Sequence, residues 1–81
     1  MKYNATIKVL GKTYKATGSS VTEALSNLKP INPKTVSVLT ISNGEISKEK
    51  ILNMIQTFRL FCKNRIMHEM ALKNISSLFS L

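Results

Sequence analysis

The chain has 81 residues, with 12 Lys+Arg against 4 Asp+Glu and a formal net charge of +8. That length sets a ceiling of one domain, residues 1–81, with a thin core, and 43% hydrophobic residues are too many for a disordered polycation. A single Cys excludes an internal disulfide, and with no Asp and one His several enzyme classes lose ground.

Residues 3–10 alternate, with Tyr3, Ala5, Ile7 and Val9 on one side and Asn4, Thr6, Lys8 and Leu10 on the other. This is the period of a half-buried strand. Residues 13–17 alternate in the same way, and Gly11-Lys12 between the runs suits a two-residue type II′ turn. In that register Lys8 faces Lys15 on the outward side, while Ala5, Ile7, Val9, Tyr14 and Ala16 form the inward side.

Ser20 followed by Glu23 reads as a capping box that opens a helix with Val21, Ala24, Leu25 and Leu28 on one stripe. Pro30 stops that helix near Lys29, and residues 31–34 form a short, stiff connection. Residues 35–42 are rich in β-branched side chains, with Val36, Val38, Leu39 and Ile41 spread over both faces, which predicts a central strand or one covered on both sides. Asn43-Gly44 signals a tight I′ turn, so residues 45–51 return as a fourth strand. A rival reading begins a helix at Ser47, with Ile51, Ile55, Phe58 and Cys62 on one face. If the strand forms, Asn53 caps the next helix with Gln56 at its N3 position. Met54, Ile55, Phe58 and Phe61 supply that helix's stripe, Lys63-Asn64 breaks it, and a last helix carries Met67, Met70, Ala71, Ile75 and Leu78. The fold class is therefore α+β: a small antiparallel sheet of three or four strands with packed helices, in the order β-β-α-β-(β)-α-α.

Two basic groups are candidate nucleic-acid contacts. One is the hairpin, with Lys8, Lys12 and Lys15. Like charges placed directly opposite on a sheet repel, and a phosphate backbone turns that repulsion into attraction through counterion release. The other combines Lys48, Lys50, Arg59, Lys63 and Arg65, which include both arginines of the chain. The codon bias of an AT-rich genome also yields an excess of Lys, Ile and Asn, but it does not remove carboxylates. No aromatic residue interleaves the cations, so base stacking is not indicated.

The C-terminal helix offers a different class of function. Met67, Met70, Leu72, Phe79 and Leu81 exceed what one core-facing stripe needs, and they read either as further packing that caps the sheet or as a partner or homodimer surface. Cys62 and His68 fall on different predicted helices with no third orienting group, and Cys62 reads as a small core residue. No cofactor or metal is expected, and neither is an enzymatic activity. Met1-Lys2-Tyr3-Asn4 lacks an apolar signal region, and no run approaches the roughly 20 apolar residues of a bilayer span. A soluble cytoplasmic protein is expected.

The hairpin followed by the capping segment at residues 20–23 resembles the start of small ββαβ domains used by bacterial antitoxins and by double-stranded-RNA binders. The glycine-flanked basic helix start of the RNA binders is absent. Size and Lys/Asn/Ile bias also resemble accessory proteins of phages and mobile elements. The sequence points to a small non-enzymatic binding protein that contacts nucleic-acid phosphates, with a protein-interaction module (inhibitor, adaptor or homodimer) as the alternative.

Overall fold

The alternating strands assemble into one sheet because each carries apolar side chains on a single side. A computed structural model describes residues 2–29 and 35–79. Strands β1 (Tyr3–Val9), β2 (Lys12–Gly18), β3 (Ser37–Ser42) and β4 (Ser47–Leu52) form an antiparallel sheet in the order β2-β1-β3-β4. Helices α1 (Val21–Ser26), α2 (Met54–Leu60) and α3 (Arg65–Phe79) complete the order β-β-α-β-β-α-α. Both the α+β class and the fourth strand agree with the sequence. The Cα radius of gyration, 11.3 Å, is close to the ~12 Å expected of one compact unit this size. No helix among the described residues is long and apolar enough to cross a membrane.

The hairpin departs from expectation at its turn. Val9 pairs with Lys12, Lys8 with Thr13, Ile7 with Tyr14 and Thr6 with Lys15. The loop residues are thus Leu10 and Gly11, with φ of 51° and 77°, as a type I′ turn requires. This register differs from the II′ alternative by two residues, so every side chain keeps its face; a slip of one would have inverted them all. The physical gain is electrostatic. Lys8 and Lys15 each oppose a threonine instead of each other, and a like-charge cross-strand pair is avoided. The cost falls on Leu10, whose left-handed backbone is unfavourable by about 1–2 kcal/mol for a residue with a Cβ.

Gly18 ends β2 under the start of α1. A Cβ there would lie 2.5 Å from the Ala24 backbone nitrogen, so the absence of a side chain sets how closely the helix approaches. Ser20 caps α1, its Oγ accepting from the Glu23 N–H at 3.1 Å. The Glu23 carboxylate accepts from the N–H and the hydroxyl of Ser19, one residue earlier than a standard capping box. The helix ends at Asn27, ahead of the proline, and the Asn27 side chain donates to the Thr17 carbonyl at 2.8 Å. The expected connection at residues 31–34 lies outside the described residues.

The second hairpin also has a longer loop than expected. Ser42 pairs with Ser47, leaving residues 43–46 as a four-residue connection. Asn43 organises it by accepting from the N–H groups of Glu45 and Ile46, an Asx turn in place of the I′ turn. Asn53 and Gln56 then form the reciprocal capping box expected for α2, at 2.8 and 3.0 Å.

The core is a single layer between the sheet and the helices. From the sheet it takes Ala5, Ile7, Val9, Leu39, Ile41 and Leu52; from α1 and its exit, Ala24, Leu25 and Leu28. The contributions of α2 and α3 differ from the predicted stripes. In α2 the buried residues are Thr57 and Leu60, while Met54 and Ile55 face outward. In α3 they are Ala71, Leu72, Ile75 and Phe79, while Met70 and Leu78 are exposed. The α3 sequence carries two apolar stripes, and the core takes the one that buries the aromatic ring, which removes the most apolar area from water. Thr57 is satisfied in the core: its hydroxyl donates to the Asn53 carbonyl and accepts from the buried Ser37 hydroxyl at 2.8 Å.

Phe79→Ala should cost about 3–5 kcal/mol, while Leu78→Ala changes stability by no more than about 0.5 kcal/mol; urea denaturation distinguishes this orientation of α3 from the rotated one. Leu10→Asn should raise stability by about 1 kcal/mol, because asparagine tolerates the left-handed conformation that the turn imposes. A lowered urea midpoint would contradict the I′ geometry.

Candidate nucleic-acid interface

All buried apolar side chains of the sheet lie on its helix-bearing side, which leaves the opposite side open. Reading across the strands in register, this open face has three rows. The first is Thr13-Lys8-Val38-Ile51, the second Lys15-Thr6-Thr40-Glu49 and the third Thr17-Asn4-Ser42-Ser47. Threonine recurs here because its branched Cβ suits a pleated strand while its hydroxyl tolerates water. β3 is therefore central in the sheet but covered on one side only.

Lys8 and Lys15 sit on diagonal positions of this face, a separation of roughly 7–8 Å between neighbours of this kind. Both are exposed. Around them are the hydroxyls of Thr6, Thr13 and Thr17 and the amide of Asn4, so most side chains near the two cations can donate a hydrogen bond. Glu49 supplies the one carboxylate in the three rows, and it stands three strand spacings from Lys15, roughly 14 Å. That exceeds the screening length at physiological ionic strength. Cationic character is thus concentrated along β1 and β2.

The remaining sequence candidates are divided by the sheet. Lys12 pairs with the inward-facing Val9, so it projects from the hairpin end on the other side, where it is exposed. Lys48 and Lys50 pair with the buried Ile41 and Leu39 and so also project on the helix-bearing side. Charged side chains pointing inward from an edge strand discourage pairing with a foreign strand, which gives these two lysines a structural role. Arg59, Lys63 and Arg65 belong to α2, the link and α3. Arg65 is engaged by Glu69, with Nε–Oε1 at 3.5 Å, the only ion pair among the described residues. The two basic groups therefore form separate surfaces.

The partner surface expected on the C-terminal helix is changed more. Leu72 and Phe79 are 7% and 0% exposed and belong to the core. Leu81 lies outside the described residues. Met67 is half-buried and Met70 exposed. In α2 the exposed apolar residues that sequence periodicity assigned to the core are Met54 and Ile55, and the amphipathic pattern of α2 alone gave no means of choosing between its faces.

The aromatic residues stay away from the open face: Tyr3 and Tyr14 pack against the core on the helix side. Cys62 is a half-buried free thiol. His68 bonds through Nδ1 to the Leu60 carbonyl at 2.6 Å, a contact that secures the end of α2 against α3. Among the described residues there is no cluster of three or more potential metal ligands. No protein-family model, curated protein or solved structure matches this chain.

Proposed function

We propose that this protein is a non-enzymatic binding module that contacts the phosphate backbone of nucleic acid through the open face of its sheet. The observation that carries this reading is the placement of Lys8 and Lys15 as diagonal neighbours on the face of the sheet opposite the helices, among hydroxyl and amide side chains. Ser, Thr, Asn and Lys all donate to phosphate oxygens. Lysine acts there as a point charge, without the bidentate geometry of arginine. With no aromatic side chain on this face, bases have no platform on which to stack. Binding is accordingly expected to follow the backbone, with little sequence preference and a steep dependence on salt. The net charge of +8 adds long-range attraction, while the open face orients the complex.

The reading is tested by fluorescence anisotropy with labelled duplex DNA and duplex RNA across a series of salt concentrations. Lys8→Gln combined with Lys15→Gln should weaken binding and flatten the log K against log salt slope by about 2. Lys48→Gln combined with Lys50→Gln, on the other side of the sheet, should change the slope by less than half as much. Equal losses from the two double variants would mean that total charge alone is responsible and would remove the open face from the site. An absence of binding at low salt would overturn the proposal.

A further inference from the structure

The helix-bearing side presents a second surface of different chemistry. Because α2 meets the core through Thr57 and Leu60, Met54 and Ile55 are turned outward with 54% and 61% of their surface exposed. Because α3 buries Leu72, Ile75 and Phe79, Met70 is turned outward as well. Between the two helices runs a groove of about 440 Å³ lined by Met54, Ile55, Phe58, Arg59 and Met67. A smaller recess of about 170 Å³ continues it toward Met70 and Asn74, and Arg59 and Met67 line both. Among the described residues the lining contains one cation and no carboxylate. Glu69, the single carboxylate of residues 54–79, is held by Arg65.

We infer that this groove docks an acidic amphipathic segment of a partner protein, with apolar side chains entering between α2 and α3 and a carboxylate meeting Arg59. Three properties favour this occupant. An apolar groove with a cation on its wall matches the ridge of an amphipathic helix that carries acidic flanks. The methionine side chains adapt to apolar groups of differing shape. The Arg59 guanidinium, which makes no ion pair among the described residues, offers a planar fork to a carboxylate. A second copy of the chain is a poorer fit, since an isologous contact places the same cationic surface on both sides and joins two molecules of charge +8. This inference does not depend on the nucleic-acid reading, since the groove and the open face lie on opposite sides of the sheet.

The test follows the methionine methyl resonances of the full chain by NMR. The probe is a synthetic helical peptide of about 16 residues, roughly four turns, with Leu at i, i+3, i+4 and i+7 and Glu on its flanks. The Met54, Met67 and Met70 methyls should shift saturably. Arg59→Glu and Ile55→Glu, both at exposed positions, should each weaken binding about tenfold or more while circular dichroism stays unchanged. The Lys8→Gln/Lys15→Gln protein should bind the peptide as the parent does. The inference is overturned if the peptide produces no saturable shift, or if a peptide with Ser in place of each Leu binds equally well. It is also overturned if these methyls respond only to anionic phospholipid vesicles or only to rising protein concentration.

Discussion

One layer of apolar side chains between the sheet and the helices governs the rest of this structure. Every buried apolar residue among those described belongs to that layer, and none lies beneath a second covering on the far side of the sheet. A chain of 81 residues has too few apolar side chains to coat both faces, and its helices account for one. The open face must then remain soluble while retaining β-sheet geometry; threonine meets both demands, and serine, asparagine and lysine supply further polar positions on it. The surface proposed for phosphate contact is thus a product of the same one-sided burial that stabilises the fold.

The elements with a local chemical signature were legible in the sequence. Alternation gave β1 and β2, the capping residues Ser20 and Asn53 placed the starts of α1 and α2, and Asn64 marks the break before α3, where its side chain accepts from the N–H groups of Ile66 and Met67. What local pattern could not decide was the rotation of α2 and α3. Each carries apolar residues on more than one stripe, and the choice between stripes depends on what the sheet offers to pack against. Phe79 and Leu72, left open between core and partner face by the sequence, are inside; Met54 and Ile55 were expected inside and are outside. One helix rotation changes both the core and the exposed apolar surface, so the candidate partner site moved from the C-terminal helix alone to the cleft between the two helices.

Electrostatics shows the same dependence on context. From the sequence, Lys8 and Lys15 stood as a pair that folding would disfavour. The structure resolves the conflict by shifting the pairing two residues and leaves them as diagonal neighbours. The placement therefore no longer argues for function by its cost. It argues through location, because both cations remain on the one surface that no helix covers. Lys48 and Lys50, equally basic in composition, lie on the other side of the edge strand, where they protect against unwanted strand pairing. Net charge does not distinguish these roles. Strand parity does.

The cost of that register is borne at Leu10, and this position links folding to the proposed surface. Leucine is a poor choice for a left-handed turn residue, and here it is also 78% exposed, so neither backbone preference nor burial accounts for it. A locally inconsistent residue in an otherwise consistent hairpin is where function most often outweighs stability. On the proposed reading its surroundings are informative: Leu10 stands at the margin of the open face, between Lys8 and Lys12, with Val38 and Ile51 in the adjoining row. If the tip served the turn alone, asparagine would satisfy it at lower cost, and the leucine would have no counterpart on the face it borders.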